Sequence, residues 1–456
     1  MNAEAAALKR KIDAAIKHAG GLEAFRRQAL SRLRVKTVVR ESHCCQIQAL
    51  AANTADAAAR NLFATAGHGQ AAVYDGAHLG DGLAVVVQYG APPHDGKVLE
   101  LYSCAWLPPG DAGAAPGDAW LAVGASDRAV HVISVSEAAV VRQLGGHESD
   151  PVELSAAPGA PRLLLALCRD GGAAVWDVGR GEALAAAPRS DAFSAALSPC
   201  GSFYLTGTRS GRVHRWRPAA SASAPQLEPE PSGGGGAPAQ RGQQEGRAGG
   251  GEAERLLSAW RGSGGAGLSR EAFELPGLGA SALEALRFLA GGRLLTRAVD
   301  GRMCVFDWEA RALAAQWRVP GCGGQGASHH SKCGVGHTSD GAVVVAGNPH
   351  GWVFAYDAAS GARLAGLPPY RAPAYPVRGC AVSDDCRHVI AATGAGYLFR
   401  YEHRAEWPAV AAAADDAAAG GRADAAGEAD QRGAQQHAEG RGEQQEGQQE
   451  GQQEGQ

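Results

Sequence analysis

Leu163-Leu164-Leu165-Ala166-Leu167, then Asp170-Gly171, then Val175-Trp176-Asp177: an apolar run, a tight turn, and a second apolar run closing on an aromatic residue and an aspartate. Glycine accepts positive φ without a Cβ penalty, so Asp-Gly between two apolar runs reads as a hairpin turn. Residues 204–207, Ser210-Gly211 and 213–216 repeat the unit, as do Leu294-Leu295, Asp300-Gly301 and 305–307. Residues 343–347 with His350-Gly351 and 354–357 repeat it again, and so do residues 389–393, 394–396 and 398–402. Two earlier units, 63–67 with 73–75 and 121–124 with 130–135, bring the count to seven.

The terminal aromatics Trp176, Trp216, Phe306, Tyr356 and Tyr401 stand 40, 90, 50 and 45 residues apart. Taking about 50 residues of insertion out of the longest gap leaves a period of about 40–45, that of WD repeats. Gly146-His147 lies 30 residues before Trp176-Asp177, which fits the Gly-His…Trp-Asp signature of one blade. Ser198-Pro199-Cys200-Gly201 reads as the turn between the first two strands of another. The expected fold is all-β, a seven-bladed WD-repeat β-propeller over residues 35–405. Ring closure largely removes the exposed edges that endanger open sheets. The alternating Val35-Lys36-Thr37-Val38-Val39 is the expected latch, supplying the outer strand of the last blade.

Composition marks three further segments. Residues 1–34 carry Leu8, Ile12 and Ile16 at helical spacing, then Gly20-Gly21, then Leu22, Phe25 and Leu30. They read as a short amphipathic helix pair, docked on a partner or on its own domain. Residues 218–270, rich in Pro, Ser, Gly, Gln and Glu, read as a disordered insertion after the fourth unit. Residues 406–456 end in Gln-Gln-Glu-Gly repeats and read as a disordered low-complexity tail.

With 456 residues and a formal net charge of -4, the chain has no basic field to favour direct nucleic-acid binding. No apolar stretch reaches the length of a membrane span, and no signal peptide is evident, so a nuclear or cytosolic location is expected. Ten cysteines without C-x-x-C spacing read as reduced thiols. Asp127, Asp170 and Asp300 fall at equivalent turns, where turn hydrogen bonding outweighs acid–base chemistry as a reading. Cys322, His329, His330, Cys333 and His337 form the one soft-ligand cluster, but the spacing matches no common zinc pattern. His43-Cys44-Cys45 reads as the start of a strand. No nucleophile–base–orienter motif is present, so no catalytic residue, metal or cofactor is expected.

Several segments, in order, resemble the EED / extra sex combs / FIE family, the WD-repeat subunit of Polycomb repressive complex 2. They are 63–67 with Val73-Tyr74, 101–106, 121–124 with 145–147, 289–295, Gly347-Asn348 and 377–385. The most distinctive is Leu101-Tyr102-Ser103-Cys104-Ala105-Trp106. The resemblance implies a scaffold for a SET-domain methyltransferase subunit and histone tails, acting in chromatin repression in the nucleus. It also implies a trimethyl-lysine cage at the ring's mouth, working by cation–π attraction. Tyr102 matches one cage position, while Ile47 and Cys333-Gly334 fall where the family has aromatics. Trp352 and Tyr375 are the substitutes at hand, and Tyr102 reads equally as a strand-core tyrosine. The alternative function is another WD-repeat adaptor, such as a ubiquitin-ligase substrate receptor or an origin-recognition-associated protein.

Overall fold

Apolar runs of five to seven residues punctuated by turn glycines form short antiparallel strands, and each group of four strands buries a face only by stacking on the next group. In the computed structural model, which describes residues 3–77, 82–110, 114–115, 117–219, 249–323, 332–370 and 375–403, this gives seven four-stranded antiparallel sheets. Blade 1 runs from Ile47–Ala52 to Ala84–Gly90, blade 2 from Leu101–Leu107 to Ala139–Leu144, and blade 3 from Pro151–Ala157 to Glu182–Ala187. Blade 4 runs from Ala192–Leu197 to Leu268–Phe273, blade 5 from Leu283–Leu289 to Ala312–Arg318, and blade 6 from Val335–His337 to Arg363–Leu367. Blade 7 takes its three inner strands from Val377–Val382, His388–Thr393 and Tyr397–His403.

The latch expectation holds. Leu33–Arg40 pairs antiparallel with Tyr397–His403, from Leu33 opposite His403 to Arg40 opposite Tyr397, and completes blade 7. The first and last parts of the chain thereby close one ring. The expected terminal aromatics all lie on third strands, with Trp176 and Trp216 5% exposed and Phe306, Tyr356 and Tyr401 at 0–2%. The core sits between blades: Leu163, Leu165 and Val175 of blade 3 pack with Ala195, Leu197 and Tyr204 of blade 4. At Gly171, φ is +79° and an added Cβ would meet the Ser190 carbonyl oxygen at 2.0 Å, so this turn admits glycine alone.

The insertion differs from expectation in two ways. It falls inside blade 4, between Val213–Pro218 and Leu268–Phe273, and its last part is ordered. Helix α3, Gly249–Ala266, is followed directly by the blade's outer strand, so the disordered reading of 249–270 is corrected. Trp260 is the physical reason. It is fully buried, stacks on Tyr204 at 6.1 Å and donates its indole N–H to the Gly201 carbonyl at 2.8 Å. Composition averaged over a Gly-rich stretch hides one such anchor. The part of the insertion expectation over 220–248, and the tail from 404 onward, lie outside the described residues.

The helix pair at the start is present as α1, Ala3–His18, and α2, Leu22–Arg32. Contacts divide the chain into two units, and α2 lies with the ring in Ala19–Ala405 while α1 belongs to the other. Of the two docking choices, α2 takes its own domain: Phe25 and Leu30 are buried, and Arg26 reaches Asp340 at 2.7 Å and the Asp384 carbonyl at 2.7 Å.

Candidate recognition face

Every innermost strand begins on one face of the ring, called here the upper face. In six of the seven blades, the pairing of this strand with its neighbour slips one residue after its start. The slips fall between Ile47 and Ala49, Leu101 and Ser103, Pro151 and Glu153, Ala192 and Ser194, Leu283 and Ala285, and Val377 and Gly379. A bulge leaves one residue out of the ladder and re-aims its side chain. The residues so released are Gln48, Tyr102, Val152, Phe193, Glu284 and Arg378, six different chemistries at one structural position. All but Phe193 line a cavity of about 110 Å³ at the channel mouth, together with Glu153, Arg287 and Lys332. The channel opens at the other end into a larger cavity of about 560 Å³.

Ion pairs hold this mouth. Glu153, nearly buried, accepts from Arg287 at 2.8 Å and from Lys332 at 3.1 Å. Lys332 also donates to the Phe193 carbonyl and stands 4.6 Å from the centre of the Phe193 ring. Behind them, Glu284 pairs with Arg297 at 2.6 Å and accepts the Cys333 backbone N–H at 3.1 Å. Arg297 is 1% exposed and donates to the Gly347 and Gly334 carbonyls at 2.6 and 3.1 Å. Burial pushes the Glu284 carboxyl up, against the pull of Arg297, and pushes the Cys333 thiol up to about 12. The pair ties blade 5 to blade 6, its two blade 5 side chains bonding backbone groups of Cys333, Gly334 and Gly347.

Tyr102 is half-buried at the mouth, and burial pushes its phenol up. The Arg169 guanidinium lies 4.5 Å from its ring centre, so an internal cation already uses that π face. Ile47, by contrast, is fully buried in the core between blades 7 and 1, and Cys333 is 5% exposed. Tyr102 is therefore the one aromatic among the described residues lining the mouth cavity. Trp352 and Tyr375 stand exposed on the same face at 38% and 44%, outside the cavity lining.

The turn reading of the three aspartates holds. Asp127, Asp170 and Asp300 each accept the backbone N–H two residues on, at 3.1, 3.1 and 3.0 Å. Of the soft-ligand cluster, His329 and His330 lie outside the described residues. His337 is bonded through Nδ1 to the Thr338 carbonyl at 2.9 Å, and Cys322 and Cys333 flank Arg297. No group of three metal-ligating side chains stands together among the described residues. All ten cysteines are free. His43-Cys44-Cys45 lies in the loop before blade 1 rather than at a strand start, with Cys44 at φ 54°.

Sequence reasoning missed the Glu284–Arg297 pair. Its signal is a charged residue set among apolar neighbours, Glu284 between Leu283 and Ala285, and Arg297 between Leu294-Leu295-Thr296 and Ala298. The chain matches no protein-family model, and no curated protein matches it in sequence. Fold and face together define a seven-bladed β-propeller, an architecture commonly used as a protein-interaction scaffold. No helix among the described residues is long and apolar enough to cross a membrane.

Proposed function

We propose that this propeller is a non-catalytic protein-binding scaffold, a WD-repeat subunit of the Polycomb type acting in the nucleus. In this reading it holds a SET-domain methyltransferase subunit and histone tails, and so supports histone methylation and transcriptional repression. The observation that carries the scaffold role is the upper face, where six bulges present unlike side chains, five of them around one mouth. Trp352, Tyr370 and Tyr375 stand exposed on that face at 38%, 51% and 44%, and Trp, Tyr and Arg dominate binding hot spots. The choice of partner rests on the resemblance, above all at residues 101–106.

Purification of the tagged full chain from its source cell tests the partner. Recovery of a SET-domain methyltransferase supports the reading, and recovery of only ubiquitin-ligase or replication-origin subunits refutes it. Tyr102 is the candidate π face for a trimethyl-lysine, but Arg169 must leave before that face opens. A trimethyl-lysine histone peptide should therefore bind Arg169→Ala more tightly than the natural chain. Binding that is indifferent to both Arg169→Ala and Tyr102→Ala would remove Tyr102 from that role.

A further inference from the structure

The charges at the mouth do not balance. Glu153 and Glu284 are the two carboxylates lining the cavity, against Arg287, Lys332 and Arg378. Glu153 takes both Arg287 and Lys332, and Glu284 is already paired to Arg297 behind the wall. Arg378 has no carboxylate within 4 Å among the described residues. Its partners are neutral: the Lys332 carbonyl at 3.5 Å, and the Gln46 side-chain amide, whose oxygen, turned towards it, lies 2.9 Å from Nε. Residues 324–331 and 371–374, which lie outside the described residues, contain no acidic residue.

Arg378 is also placed to reach a ligand. It is a bulge residue, turned out of the ladder at the start of its strand, and it lines the mouth while remaining part-exposed. Burial of its guanidinium pulls it below the usual arginine range, against the opposing pull of Cys333 and Glu284, neither of which contacts it. A planar carboxylate arriving from the upper face would meet the guanidinium's unused N–H donors and supply a negative charge in direct contact.

We propose that the mouth is a carboxylate-binding subsite centred on Arg378, and that the peptide segment bound there carries an acidic group. This rests on the reading of the upper face as a peptide-binding surface, and names the chemistry of its central contact.

A library of displayed random 12-residue peptides, half with free and half with blocked C-termini, is panned on the full chain and on Arg378→Gln. The expected result is enrichment of Asp or Glu at one fixed position, capture that drops at least tenfold on Arg378→Gln, and partial rescue by Arg378→Lys. Replacing the selected Glu by Gln in the best peptide should weaken binding tenfold or more. Enrichment restricted to free C-termini assigns the subsite to a terminal carboxylate, and competition by 10 mM glutarate without peptide enrichment assigns it to a small free acid. Binders lacking an acidic position, or captured equally by an Arg378→Gln chain of unchanged melting temperature, would overturn the subsite. Capture of the methyltransferase by a chain that selects no acidic peptide sinks this inference and leaves the scaffold reading standing.

Discussion

Helix α3 offers the sharpest test of how an insertion is held on the ring. Trp260 has no solvent exposure, and burying an indole removes about 150–250 Å² from water. At about 25 cal/mol per Å² that is roughly 4–6 kcal/mol, an upper figure because the unfolded chain already buries part of it. Trp→Ala substitutions in cores cost about 3–5 kcal/mol, and the indole hydrogen bond to Gly201 is included in that loss. Against this, α3 holds six glycines in 18 residues, each about 1 kcal/mol worse than alanine, so the helix has no stability of its own to fall back on. Trp260→Ala should therefore release α3 while the blades remain folded. Hydrogen exchange at the amides of residues 253–261 should accelerate at least a hundredfold, with the amides of blade 1 unchanged. Arg261→Ala is the comparison. Arg261 reaches Glu182 at 3.5 Å and is 39% exposed, so its loss should cost less than about 1 kcal/mol. Exchange in Trp260→Ala within threefold of the natural chain, or an equal effect of Arg261→Ala, would refute the argument that apolar burial holds the helix.

Two further outcomes follow from the charges. Arg297→Ala strands Glu284 without its cation in the wall between blades 5 and 6 and should cost about 3–5 kcal/mol in urea unfolding. A loss under 1 kcal/mol would show that the carboxyl is neutral there. The docking of α2 should depend on pH. Burial works against the charge of Asp340, but the Thr338 hydroxyl, the Ala342 amide and Arg26 overcome it and hold the carboxyl below its ordinary range. A folded pKa below the unfolded one means that the contribution is complete above about pH 4 and is lost as pH falls through the folded value. Asp340→Asn should thus lower the melting temperature at pH 7 and make no difference near pH 2; a gap that persists in acid would contradict this.

Much of the ring was legible because its signals are local. Glycine at positive φ in Asp170-Gly171 and Ser210-Gly211 fixes hairpins, and the buried aromatics from Trp176 to Tyr401 fix the period. Even closure, a contact between opposite ends of the chain, was readable, since Val35-Lys36-Thr37-Val38-Val39 alternates as a strand and needs somewhere to pair. The helix within the insertion was not readable by the same means. Leu257 and Trp260 lie three residues apart among glycines, and only the apolar groove of Leu184, Tyr204 and Trp216 gives that spacing a purpose. A segment whose own propensity is poor folds by tertiary contact, and composition reports only the propensity.

The recognition face was legible least, for a geometric reason. In a regular strand, side chains alternate, and a residue's neighbours in sequence say which face it takes. At a bulge that rule lapses, so Gln48, Tyr102, Val152, Phe193, Glu284 and Arg378 share no sequence signature although they share a structural position. Tyr102 was found through resemblance, and Ile47 and Cys333, which stand where the resembling family has aromatics, are buried. The slip also explains how most of the mouth can vary without loss of strand pairing, Glu284 with its buried partner Arg297 being the exception. A residue outside the ladder gives up no strand pairing when its side chain changes, so five of the six bulged blades each contribute one side chain to the same small cavity. What the mouth binds is then decided by the sum of those side chains, and in this chain the sum leaves one guanidinium, that of Arg378, with no carboxylate in contact among the described residues.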